Sequence, residues 1–192
     1  MDVRTIAVLG AGTMGRGIAY AAALGGYRTI LEDISPQVLA AGLAWIHQSF
    51  EDGVARGKVT PQQKDGALQN LSTAGSVESA CVVAELIIEA VPEDMNLKID
   101  VFSTLDRCAP PGAILASNTS SLSITEIAAV TSRPEKCIGM HFFNPVPKMK
   151  LLELVRAVDT SPDTLDTARE VGRRMGKETV VVRDSPGFIT SR

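Results

Sequence analysis

The chain has 192 residues, of which 45% are hydrophobic and 21% charged. That composition excludes a disordered segment and suits one compact core, or one domain plus a fragment. Nineteen basic residues against 22 acidic ones leave a net charge of −3, which excludes a strongly basic nucleic-acid binder but leaves room for one local basic patch around a phosphate-bearing ligand. No apolar run reaches the roughly 18 residues of a membrane span. The opening Met1-Asp2-Val3-Arg4 leads straight into a strand-like segment, without a signal-peptide pattern. Cys81, Cys108 and Cys137 are odd in number and widely spaced. They match no zinc or CxxC pattern, so no metal site is expected, and they read as separate small buried residues in a reducing, cytoplasmic setting.

In chain order, residues 4–9 predict a buried strand, followed by a glycine turn and a helix over about 13–25. Residues 28–33 predict a second strand. Ser35-Pro36 then supplies an N-cap and a first-turn proline for a long helix to about Arg56. Thr60-Pro61 repeats that start signal for a shorter helix. Strands follow at 85–91 and 113–117, with a helix at 95–108 between them and another near 124–130. Residues 137–142 and 150–157 predict two strands joined by a proline-rich turn. Ser161-Pro162 opens a helix to about Met175, and 179–183 is a last strand. Alternation of this kind means an α/β fold with a doubly wound, mostly parallel sheet, with one antiparallel pair near 137–157. The last residues, from Asp184 to Arg192, read as the start of another element. The expected domains are therefore 1–184, and 185–192 as the beginning of a truncated second domain.

Gly10-Ala11-Gly12-Thr13-Met14-Gly15 fits GxGxxG. An apolar strand before it, a helix after it and an acid-ended second strand make it a dinucleotide loop rather than an ordinary glycine turn. Gly10 permits the tight turn, Gly12 lets the backbone approach a pyrophosphate, and Gly15 lets helix and strand pack closely. Thr13 and Met14 open the helix whose free N–H groups face the anion. Asp33, 18 residues past Gly15, is placed to accept hydrogen bonds from a ribose and to repel a 2′-phosphate, which favours NAD over NADP. Glu32 competes for that role, but alternation turns it to the other face. Arg28 lies too early on the strand to bind a 2′-phosphate.

Of the two histidines, His47 lies in a polar-flanked helix and reads as bland. His141 ends a strand, where open α/β sheets place their chemistry. If the strands flank a turn near Pro147, Glu153 stands opposite His141, about 5 Å away at Cβ. A carboxylate there fixes the imidazole and supports a base that takes an alcohol proton. The competing reading is a core histidine with an incidental acid. Ser117-Asn118-Thr119-Ser120-Ser121 forms a loop at the same sheet edge. It suits a nicotinamide carboxamide or a substrate oxygen, or simply caps the next helix.

These motifs carry a family resemblance. GAGTMG (10–15), EAVPED with Lys98, SNTSSL (117–122), HFFNPVP (141–147) and DSPGFI (184–189) occur in that order. Together they resemble the L-3-hydroxyacyl-CoA dehydrogenase family, in its bacterial 3-hydroxybutyryl-CoA branch. The resemblance implies an N-terminal NAD-binding domain and a C-terminal helical domain, absent here, through which the full-length form is a homodimer. It further implies His141 as catalytic base, Glu153 as its orienting carboxylate, Ser120 bonding the substrate and Asn144 in the active-site turn. Glu93 and Lys98 resemble cofactor contacts, and Asn118 lies near the nicotinamide. Ser49 and Arg56 fall where the family meets CoA. Ser191 stands where the family often has an asparagine. The implied reaction interconverts a 3-hydroxyacyl-CoA and a 3-oxoacyl-CoA, with no nucleic acid or membrane partner. The alternatives are an NAD-binding module without turnover and a β-hydroxyacid dehydrogenase acting on a free acid.

Overall fold

The computed structural model describes residues 2–185. Its elements are β1 (Thr5–Leu9), α1 (Thr13–Leu24), β2 (Arg28–Glu32), α2 (Pro36–Ala55), α3 (Pro61–Gln69), β3 (Leu71–Ala74), α4 (Val77–Cys81) and β4 (Leu86–Glu89), then α5 (Met95–Cys108), β5 (Ile114–Ser117), α6 (Ile124–Ala128), β6 (Cys137–Phe142), β7 (Leu151–Arg156), α7 (Pro162–Arg174) and β8 (Glu178–Arg183). They build one eight-stranded sheet in the order β3-β2-β1-β4-β5-β6-β7-β8. Only β6 and β7 run antiparallel; every other neighbouring pair is parallel.

The central strands are apolar on both faces because helices cover both. All five residues of β1 are buried. One face carries Ile6, Val8 and Leu31 against Ile18, Phe50 and Val171 of α1, α2 and α7. The other carries Ala7, Leu9 and Ile30 against Cys81, Phe102 and Ile127 of α4, α5 and α6. Helix starts follow the capping signals. Ser35 accepts a hydrogen bond from the Val38 N–H, and Thr60 and Gln63 form a reciprocal capping box. The Ser35 cap starts α2, whose exposed side bears on the functional site.

Two elements go beyond the sequence reading, β3 and α4. The edge strand β3 is a partly exposed Leu-Ser-Thr-Ala stretch, and α4 has five residues, so neither is long enough to show a period.

The cysteine reading needs correction. Packing of α4 on α5 brings Cys81 to Cys108, and the two are joined in a disulfide. Among the described residues Cys137 is the free cysteine, and burial pushes its thiol up to about 11. The reducing compartment inferred from unpaired cysteines loses that support. The Pro186-Gly187-Phe188-Ile189 stretch and Ser191 lie outside the described residues.

Candidate active site

The glycine loop joins β1 to α1 at the carboxyl edge of the sheet. Gly10 has φ +92°, and a Cβ there would stand 2.7 Å from the Ala90 carbonyl oxygen. A Cβ on Gly15 would stand 1.7 Å from the Gly10 carbonyl oxygen. Both positions are closed to any side chain. At Gly12 a Cβ would meet nothing within 4 Å, so the bare backbone there faces open space. Gly12 is also the N-cap of α1 and no side chain caps it. A helix N-terminus with an uncovered approach fits a dinucleotide pyrophosphate.

Asp33 lies just past the end of β2. Its Oδ2 accepts the Ala11 N–H at 2.8 Å and its Oδ1 the Ser35 N–H at 2.8 Å. The carboxylate thus braces the glycine loop and stays part-exposed beside it. Glu32 turns the other way, as alternation requires, and is 5% exposed. Burial, then Asp33 and Glu78, push its carboxyl up to about 7.

His141 and Glu153 are direct partners in the β6–β7 register. His141 Nδ1 lies 2.7 Å from Glu153 Oε2, and both side chains are buried. The antiparallel pair therefore sets this contact through its register. The His141 ring also packs on Phe143, with centroids 4.5 Å apart. Together with Met14, Val91, Glu93, Asn118, Ser120 and Asn144, His141 lines a cavity of about 370 Å³.

Another part of the cavity wall is organised by Glu93. Its Oε1 accepts from Thr119 Oγ1 at 2.6 Å, Ser120 N at 2.9 Å and Ser120 Oγ at 3.2 Å. Partial burial opposes the charge, but these bonds and the nearby Lys98 outweigh it and lower the Glu93 pKa. Asn118 Oδ1 accepts the Phe142 N–H at 2.9 Å, tying this loop to β6 beside His141. From the other side Asp184 holds the start of α6. It accepts from Ser123 Oγ at 2.9 Å, Thr125 N at 2.7 Å and Ile124 N at 3.2 Å.

Lys98, which the resemblance gives as a cofactor contact, is held between two carboxylates. Its side chain is 1% exposed and does not line the cavity. Its Nζ lies 2.7 Å from Glu89 Oε1 and 3.5 Å from Glu93 Oε2. Glu89, the last residue of β4, also accepts from Val91 N at 2.7 Å and Ser117 Oγ at 2.6 Å. A buried carboxylate at the end of an apolar strand needs a cation, and Lys98 on α5 supplies it. Neither Glu89 nor Ser117 stands out as functional by residue pattern alone. The signal was an acid closing an apolar run with a lysine nine residues on.

A second hollow, a groove of about 770 Å³, lies beyond the 144–150 turn. Ser49 and Arg56 line it together with Trp45 and Asp52 from α2. Lys58, Pro145, Lys148, Lys150 and Lys177 complete much of its wall. Asn144 belongs to the smaller cavity and Pro145 to the groove, so the turn separates the two.

Residues 5–185 match the family model described as 3-hydroxyacyl-CoA dehydrogenase, NAD binding domain. The chain belongs to the 3-hydroxyacyl-CoA dehydrogenase family. It is 44% identical over 192 residues to a probable 3-hydroxybutyryl-CoA dehydrogenase of Bacillus subtilis, covering 100% of this chain and 67% of that one. To the 3-hydroxybutyryl-CoA dehydrogenase of Bradyrhizobium diazoefficiens it is 40% identical, covering 99% of this chain and 64% of the relative. Among solved structures, the (S)-3-hydroxybutyryl-CoA dehydrogenase of Ralstonia eutropha superposes with a TM-score of 0.94 at 39% identity, covering 98% of this chain and 66% of the other. The chain thus spans about two thirds of the length of these 3-hydroxyacyl-CoA dehydrogenase relatives. Among the described residues no helix is long and apolar enough to cross a membrane, and no three metal-ligating side chains converge.

Proposed function

We propose that this chain is the NAD-binding and base-bearing part of a dehydrogenase that interconverts (S)-3-hydroxyacyl-CoA and 3-oxoacyl-CoA. The substrate class follows the names of its relatives, with 3-hydroxybutyryl-CoA first among them. The observation that carries the reading is the His141–Glu153 pair, buried at 2.7 Å and set by strand register on a cavity that Met14 of the glycine loop also lines.

NAD held by the glycine loop and Asp33 would supply the hydride acceptor for the carbon that bears the hydroxyl. Gly10, Gly12, Thr13 and Gly15 shape the pyrophosphate seat, and Asp33 disfavours a 2′-phosphate by like charge. With Nδ1 committed to Glu153, His141 exchanges the hydroxyl proton through Nε2. Glu153 steadies the ring and stabilises the charge it gains. Ser120, fixed by Glu93, bonds the same substrate oxygen. Asn118 and Asn144 lie on the same wall, near the nicotinamide and the reacting end. Ser49 and Arg56 meet the CoA arm in the groove. Residues 1–184 act as the dinucleotide domain, and the full-length form works as a cytoplasmic homodimer.

Replacing His141 with alanine tests this directly. Turnover of acetoacetyl-CoA and NADH should fall by about 10²–10⁴-fold, with NADH affinity near the parent value. The measurement belongs both in the 192-residue chain, where baseline turnover is expected to be low, and in a full-length relative with the matching substitution. Turnover within about threefold of the parent would remove His141 from the mechanism.

A further inference from the structure

Lys177 follows the end of α7, is 8% exposed and lines the larger groove. Its Nζ donates to the main-chain carbonyls of Val146 and of Met149, the latter at 2.8 Å. Both carbonyls belong to the turn that separates the groove from the catalytic cavity. None of the ion pairs among the described residues includes Lys177. Burial alone lowers its pKa. Buried cations are ordinarily neutralised by a carboxylate, as Lys98 is by Glu89. A lysine ammonium has three donors, and two are committed here. The surrounding wall adds Arg56, Lys58, Lys148 and Lys150 against the single acid Asp52. This concentration of positive charge occurs in a chain whose net charge is −3.

We propose that Lys177 is an anion-binding residue of this groove, its ammonium completed by a phosphate of the bound ligand while it holds the 146–149 turn. The inference rests on the acyl-CoA reading and adds a contact to it. It also gives the groove a physical link to the site, since the group that meets the ligand also fixes the segment following Asn144. A lysine that served packing alone would hold the turn equally well with any ligand.

Calorimetric titration of the 192-residue chain with CoA, pantetheine and NADH tests this, with Lys177→Met and Lys177→Arg as variants. Lys177→Met should weaken CoA binding by about 10–100-fold, the range of a lost charge-assisted contact. It should leave pantetheine, which has no phosphate, within about twofold. Lys177→Arg should recover most of the CoA affinity, and NADH binding by both variants shows that they are folded. CoA affinity unchanged in Lys177→Met overturns the assignment. An equal loss for pantetheine and CoA also overturns it, because the lysine then acts only through the turn. Should Lys177→Met fail to bind NADH, the parent chain decides: pantetheine binding as tightly as CoA overturns the assignment, and a preference for CoA of tenfold or more supports it. A parent chain that binds NADH but not CoA removes the acyl-CoA reading itself, and the Lys177 assignment with it.

Discussion

The cavity beside His141 and the groove beside Lys177 share a wall and hold their charges in opposite ways. Around the cavity each buried charge has a partner: Glu153 has His141, and Glu89 has Lys98 and Ser117. The groove carries five cations on its wall against one acid. Balanced charge keeps side chains in one geometry without a ligand, which suits atoms that must meet a reacting carbon. Unbalanced charge waits for its counter-charge, which suits recognition of a phosphorylated arm. One wall thus separates a region built for fixed positions from a region built for attraction.

The sharpest way to break this contrast is to unbalance the paired region. Lys98→Met leaves Glu89 buried without a cation and should cost about 3–5 kcal/mol of stability, read from denaturant midpoints. A loss below about 1 kcal/mol would mean that the pair is not the buried strut described here.

A smaller effect concerns Glu32, a buried acid that forms no ion pair among the described residues. The folded chain keeps its proton up to about 7, against an ordinary value of 4.5. Between those values the folded state binds more protons than the unfolded one, so stability falls as pH rises through the window. Glu32→Gln removes this loss. Relative to the parent it should gain on the order of 2 kcal/mol between pH 5 and pH 8, read from unfolding curves at both. Parallel pH profiles for the two proteins would refute the buried-acid reading.

The smallest effect belongs to the groove's exposed rim. Arg56 is exposed and its Asp52 contact is 4.0 Å long. Arg56→Ala should weaken CoA binding by roughly threefold at low salt and by less at high salt, because exposed charges are screened. A loss independent of salt would place Arg56 in a desolvated contact and blur the difference between rim and wall.

The sequence reading recovered most of the fold because its signals are local. The glycine loop, the Ser-Pro helix starts and the apolar central strands each announce themselves within a few residues. His141 and Glu153 were legible because an antiparallel turn converts sequence spacing into register. What stayed hidden depends on distant contacts. The strand β3 shows no period in four residues, and the Cys81–Cys108 pairing exists only once α4 packs on α5. Lys98 reads from its motif as a cofactor contact, and its burial against Glu89 shows only once β4 and α5 are packed together. Lys177, between a helix and an edge strand, has no pattern that marks it as buried.

The Asp184 clasp has a consequence for synthesis. Its carboxylate holds residues 123–125, some sixty positions earlier in the chain, at the end of the loop that carries Ser120. Chains emerge from the ribosome N-terminus first. The glycine loop and its Asp33 brace are both available once the first 35 residues are out. The Ser120 loop waits for its clasp until almost the whole described chain has been made. A nascent chain therefore holds the braced glycine loop long before its Ser120 loop is clasped.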